Sequence, residues 1–139
     1  TRCSNNFGPY QYPEKVIPLF VTNLFDGKKV PLYGDGKNVR DWLHVDDHCE
    51  AILVALEKGT PGEVYNIASG QEVTLEEIHT RLEHLLEFSP KREMDGSQVR
   101  REARPYLVGD ATKLRSATGW SPRRSLDDIL RDVLNAQKN

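Results

Sequence analysis

Short β-branched and aromatic runs alternate along this chain with longer amphipathic ones, and most of the switches carry a cap or a glycine. That alternation limits the fold more than any other feature. Apolar residues at Val16, Ile17, Phe20, Val21, Leu24 and Phe25 keep a helical period over Glu14 to Asp26. Pro13 suits the entrance, Pro18 the first turn, and Gly27 a left-handed close. Val30 to Tyr33 reads as a strand ending in the turn Gly34-Asp35-Gly36, and Asp41 to Val45 as a second strand leading into Asp47-x-x-Glu50, a capping-box pattern for a helix to Lys58. Gly59 and Pro61-Gly62 stop that helix, and Glu63 to Ala68 reads as a strand. Thr74-x-x-Glu77 caps a helix with Ile78, Leu82, Leu85 and Leu86 on one side. Phe88 to Arg104 is polar and without period, which predicts an exposed loop. Tyr106 to Val108 predicts a strand, Ala111 to Thr118 a helix closed by Gly119, and Ser125-x-x-Asp128 a cap on a last helix through Asn135. Strands alternating with helices predict an α/β fold with at least some parallel pairing.

The 139 residues suit one domain. A net charge of -2 creates no field that would by itself draw nucleic acid or an anionic membrane, so neither is expected as a partner. Cys3 and Cys49 are far apart and lack metal-ligand spacing to any His, so no disulfide framework and no metal site is expected, and a reducing cytoplasm fits best. No apolar run reaches the roughly 18 residues that span a bilayer.

Two stretches carry chemistry. Arg2-Cys3-Ser4-Asn5-Asn6-Phe7-Gly8-Pro9-Tyr10 is a run of small polar groups ending in a sharp turn, as where a strand emerges into a site. Tyr33-Gly34-Asp35-Gly36-Lys37-Asn38-Val39-Arg40-Asp41-Trp42 combines glycines that let backbone approach a ligand with Arg40, whose planar fork of donors matches a phosphate. Nothing near Cys3 supplies the base or cation a nucleophilic thiolate needs. His44, His48, His79 and His84 share no helical face at useful spacing and read as structural or solvated, and Asp46 and Asp47 are accounted for by a helix start.

Together these two stretches resemble the second half of the extended short-chain dehydrogenases of the nucleotide-sugar epimerase and dehydratase family, nearest the dTDP-glucose 4,6-dehydratases. The resemblance implies a C-terminal substrate-binding part, with partial Rossmann strands and a small mixed α/β domain over residues 1–139. The N-terminal NAD-binding Rossmann domain, with its Gly-rich loop and Tyr-x-x-x-Lys pair, is then expected upstream of Thr1, and no catalytic residue is assigned within the chain. It implies Cys3 and Asn6 near NAD, and Asn5, Lys15, Tyr33, Arg40 and Arg100 on the substrate, the roles of Asn5 and Asn6 being interchangeable: Arg40 and Arg100 for the diphosphate, Tyr33 by the base. Asp41 and Trp42 would support the loop. Arg100 opens Arg-Arg-Glu-Ala-Arg where the family has an Arg-Pro-Gly-His-Asp-like run, so only its first residue matches. The tail Val108 to Arg115 with Gly119-Trp120-Ser121-Pro122 is more similar to GDP-mannose dehydratases and GDP-sugar reductases.

In the parent enzyme the resemblance implies oxidation of a hexose at C4, loss of water across C5 and C6, and return of hydride to C6, in a cytoplasmic homodimer acting on a nucleotide-diphosphate sugar. The 139-residue chain alone is expected to be inactive and to self-associate or rearrange. An epimerase or reductase on the same scaffold, or a non-catalytic nucleotide-sugar-binding module, are the alternatives.

Overall fold

A computed structural model describes residues 1–86, 92–95 and 105–138; for Tyr33 and residues 92–95 it describes the backbone only. Nine short strands and five helices are described, in the order β1 (Arg2–Cys3), β2 (Asn6–Phe7), α1 (Val16–Phe25), β3 (Val30–Tyr33), β4 (Val39–Asp41), β5 (Leu43–His44), α2 (Val45–Lys58), β6 (Asn66–Ile67), β7 (Glu72–Thr74), α3 (Leu75–Leu86), β8 (Arg92–Asp95), β9 (Tyr106–Leu107), α4 (Thr112–Thr118) and α5 (Leu126–Lys138). Four pairs are parallel: β1 with β6, β2 with β5, β3 with β8, and β4 with β9. The antiparallel pair β4 with β7 makes the sheet mixed. Each parallel pair needs a long crossover, and the helices between the strands supply most of them. The fold is α/β, as the alternation predicts.

Two apolar clusters form around these strands. In the larger, Leu126, Ile129, Leu130, Val133 and Leu134 of α5 repeat at helical spacing and pack with Ile17, Phe20, Val21 and Leu24 of α1 and Ile78 and Leu82 of α3. Trp42 closes it, its ring 4.4 Å from that of Phe7 and its indole N–H donating to the Val73 carbonyl at 3.1 Å. The smaller cluster joins Leu43, Ala51, Tyr65, Ile67, Leu114 and Trp120 between α2, α4 and the β5 and β6 strands.

Several helix ends follow the sequence. Gly27 and Gly119 take left-handed backbone just past α1 and α4. Thr74 Oγ1 accepts from Glu77 N–H, and Ser125 and Asp128 bond each other reciprocally at the start of α5. Other details differ. The segment predicted as one strand over Asp41 to Val45 is two, β4 and β5, with buried Trp42 between them. The expected Asp47-x-x-Glu50 box does not form: α2 begins earlier, His44 caps it by accepting the Asp46 N–H on Nδ1 at 3.1 Å, and Asp47 turns inward. The predicted loop over Phe88 to Arg104 contains β8, whose pairing with β3 uses backbone groups and leaves no periodic trace in the side chains; the rest of that stretch lies outside the described residues. The long strand expected over Glu63 to Ala68 is only Asn66–Ile67.

Candidate functional site

The first motif is held by a change of partner. β1 runs parallel to β6, and two residues later β2 runs parallel to β5, so Ser4 and Asn5 lie where the chain leaves one strand for another. They sit past the carboxyl end of β1, as Ser69 and Gly70 sit past that of β6, the end of a parallel sheet where ligands gather. A cleft of about 220 Å³ opens there, lined by Cys3, Ser4, Asn5 and Asp41, with Leu107 and Gly109 opposite. Gly109 has room for no side chain, since a Cβ on it would come within 2.5 Å of the Ala68 methyl.

Asp41 organises this cleft. Only 2% exposed, its Oδ1 accepts from Ser4 Oγ at 2.8 Å, Ser69 N–H at 2.9 Å and Ser69 Oγ at 3.1 Å, and its Oδ2 from Gly70 N–H at 2.8 Å. A buried carboxylate costs several kcal/mol unless its lone pairs are filled, and here neutral donors from two segments fill them. Arg115 adds a 2.9 Å bond to the Ser69 carbonyl. The first motif, the second motif and the turn after β6 are thereby joined at one carboxylate. Asp41 fastens Ser4, Ser69 and Gly70 rather than the turn before it, and Ser69-Gly70 is visible in the sequence only as a turn dipeptide.

Arg40 lies one residue before Asp41, in the middle strand of the mixed sheet, paired with Val73 and Leu107. Half-buried, its Nη1 donates to the Val39 carbonyl at 2.8 Å, and among the described residues no carboxylate lies within 4 Å of it. Most of its donor fork is left for a ligand. The turn before it takes left-handed backbone at Gly34 and Gly36, as the two glycines predict, and Glu76 N–H donates to the Gly36 carbonyl at the start of α3.

At the other end of the first motif Asn6 Nδ2 lies 2.7 Å from His48 Nδ1 and 3.9 Å from Cys3 Sγ, and its backbone carbonyl accepts from Gln11 at 3.0 Å. Burial lowers the His48 pKa below its ordinary value. Among the described residues, Asn6 Oδ1 and Gln11 Oε1 are buried without a donor. His48, read from the sequence as structural or solvated, thus touches a site residue; its i+4 spacing from His44 gives no hint of this, because His44 is the cap and His48 lies a turn inside the helix. The His44 ring, 1% exposed, accepts on Nδ1 and so donates from Nε2 to Asp132 at 3.1 Å.

Cys3 and Asn5 line the cleft and Asn6 lies beside His48, while the Asp41 carboxylate bonds Ser4 between them and Arg40 precedes Asp41 on β4. Lys15 is the N-cap residue of α1, exposed, and its ammonium bonds no described residue. Tyr33 ends β3, where only its backbone is described, and Arg100 lies outside the described residues.

The strand ends carry a polar cleft, and Arg40 stands on β4 next in sequence to the Asp41 that lines it. The chain belongs to the GDP-mannose 4,6 dehydratase family, whose model matches residues 1–133. A dTDP-glucose 4,6-dehydratase of Streptomyces niveus is 47% identical over 94% of this chain and 38% of its own length. The crystal structure of dTDP-glucose 4,6-dehydratase from Bacillus anthracis in complex with NAD superposes with a TM-score of 0.88 at 44% identity, over 99% of this chain and 43% of that one. UDP-glucuronic acid 4-epimerase from Bacillus cereus, in complex with UDP-glucuronic acid and NAD, superposes at 0.91 with 25% identity, over 99% and 44%. The chain spans about two fifths of the length of these relatives.

Proposed function

We propose that this chain is the substrate-binding portion of a dTDP-glucose 4,6-dehydratase, an NAD-dependent lyase acting on a nucleotide-diphosphate sugar. One observation carries the reading: Arg40, its fork almost unused, stands on the strand that Asp41 fastens to the Ser4-Asn5 corner. A planar donor pair matches a diphosphate, and Asn5, in the cleft that Asp41 lines, is assigned to the same ligand. Lys15 and Arg100 add further cations to the substrate, and Tyr33 flanks the base. The identity to dehydratases, 44% and 47%, against 25% to the epimerase, favours dehydration over epimerisation.

The residues present suit NAD at the Asn6 end. Asn6 Oδ1 is a buried acceptor without a donor, and a nicotinamide carboxamide offers an N–H. Cys3 lies beside it. The chemistry NAD supplies when bound is reversible uptake of hydride from the sugar. This chain's residues bind and orient: Arg40 holds the diphosphate, Asn5 fixes the sugar-bearing end, and Asn6 with Cys3 limits where the nicotinamide ring can lie. Residues that move protons are assigned to a part of the parent outside this sequence, so the 139-residue chain alone is inferred to have no turnover, and the parent to be a homodimer.

Calorimetric titration of the chain with dTDP, UDP and GDP tests the reading. Micromolar binding of dTDP is expected, weakened about tenfold or more by Arg40→Ala and incompletely restored by Arg40→Lys, because an ammonium cannot bind bidentately. Preference for GDP would transfer the assignment to the GDP-sugar enzymes that the tail resembles. Formation of a 4-keto sugar from dTDP-glucose by the purified chain would refute the inference that it is inactive alone.

A further inference from the structure

His44 is enclosed where β5 turns into α2, its ring 1% exposed. Nδ1 lies 3.1 Å from the Asp46 backbone nitrogen, and a backbone N–H can only donate, so Nδ1 holds a lone pair and the ring is neutral. Nε2 then carries the proton and donates it to Asp132 of α5 at 3.1 Å. Two carboxylates face the ring: Asp132 at Nε2 and, from α2, Asp46, whose Oδ2 is 3.8 Å from Nδ1. His48, one turn further along α2, bonds Asn6 instead, and β2 brings only Phe7 and Gly8 to His44. Behind Asp46 stands Arg124, from the segment entering α5, which bonds Asp46 at 3.2 Å and the buried Asp47 at 2.8 Å.

A second proton on the ring has only Nδ1 to occupy, where it meets the Asp46 N–H head on. The cap must then open, and that N–H joins the unpaired donors of the first turn of α2. The Asp46 carboxylate has only to come about an ångström nearer to accept from the new N–H. Arg124 keeps Asp47 when Asp46 leaves, so the exchange strands no cation. We propose that His44 is a proton-sensitive latch between α2 and α5: neutral, it caps α2 through the Asp46 N–H; protonated, it releases that cap, draws the Asp46 carboxylate from Arg124 and stays bonded to Asp132. Both states hold α5, and they differ in the first turn of α2. His44 pairs with Phe7, so the latch stands against the strand that carries the first motif.

Nitrogen-15 NMR of the labelled 139-residue chain, titrated between roughly pH 8 and 5 where imidazoles change charge, tests the latch. The expected result is an unprotonated His44 Nδ1 at the alkaline end. As Nδ1 gains its proton, the Asp46 amide should lose protection from exchange and the Arg124 guanidinium signals should shift in the same step, while amides around Asp132 stay protected. His44→Asn, which keeps a side-chain acceptor for the cap but takes no proton, should leave the Asp46 amide protected throughout. Asp46→Asn, which keeps the N–H but not the charge, should move the His44 step to lower pH; the methyl spectrum reports whether each variant is folded. A protonated Nδ1 at the alkaline end, a ring that takes no second proton by the acid end, or an Asp46 amide unmoved while the ring protonates would overturn the latch. Arg124 signals that ignore the step would overturn the transfer of Asp46.

Discussion

Asp41 shows how one side chain can matter without touching a ligand. Its carboxylate takes four hydrogen bonds from Ser4, Ser69 and Gly70 while nearly excluded from water. Asp41→Asn keeps the volume but turns one acceptor into a donor, so at least one of those groups is left facing an N–H. The expected cost is about 1–3 kcal/mol in urea unfolding at unchanged m value. dTDP binding should weaken alongside it, because Arg40 and Asn5 lose their common anchor. A variant as stable as the parent chain with the same affinity would show that the four bonds do not organise the site. The aspartate stands out in the sequence beside Arg40; its partners do not, since two serines 65 residues apart meet only through the β1–β6 pairing.

Caps and periods decide the helices. Ser125 and Asp128 form a closed pair at the start of α5, and the Ser125 hydroxyl and N–H hold the Asp128 carboxyl below its ordinary pKa. A carboxyl depressed in the folded state stabilises above its unfolded pKa, and that contribution is lost as pH falls through the folded value, here below about 3.8. Ser125→Ala should raise the Asp128 pKa toward the ordinary range in an NMR titration and lower stability at neutral pH. No change in that pKa would show the pair to be unimportant to α5. The same capping logic misplaced the start of α2. Asp47-x-x-Glu50 satisfies the pattern, yet the Asp47 carboxylate is fully buried and bonds Arg123 N–H at 3.1 Å and Arg124 at 2.9 and 2.8 Å, so it is unavailable to its own helix. A capping box is a local pattern, and a distant arginine outcompetes it.

Those bonds hold the whole molecule together. α2 belongs to the smaller apolar cluster and α5 to the larger, and polar links between them include Asp47 and Asp46 to Arg124, Glu50 to Arg123, and His44 to Asp132. Asp47→Ala leaves the Arg123 and Arg124 backbone N–H groups without their acceptor and leaves the Arg124 guanidinium with Asp46 alone, with an expected loss of about 1–3 kcal/mol. It should also split thermal unfolding into two steps, because each cluster retains its own core; a single sharp transition at an unchanged midpoint would argue against the link. The surface carries a second consequence. Ile52, Leu53 and Leu56 stand exposed on α2, and among the described strands β1 has one unpaired edge. Such an edge and apolar patch favour association, so the chain is expected to self-associate at micromolar concentration in sedimentation velocity, and Leu53→Glu with Leu56→Glu to return it toward a monomer. A wild-type monomer across that range would contradict this.

Periodicity, caps and glycines were enough to determine the α/β class, most of the helices and the two motifs, because each of these depends on neighbours within a few residues. The donor fork of Arg40 marks it by its own chemistry, whereas the Asn5-Asn6 pair is marked only by the family resemblance of its motif. Which strands pair, that β8 exists, that Asp47 faces inward and that His48 meets Asn6 all depend on groups dozens of positions apart. Backbone pairing and buried hydrogen bonds satisfy whatever the completed fold brings within reach, and that choice is made only when the crossovers close.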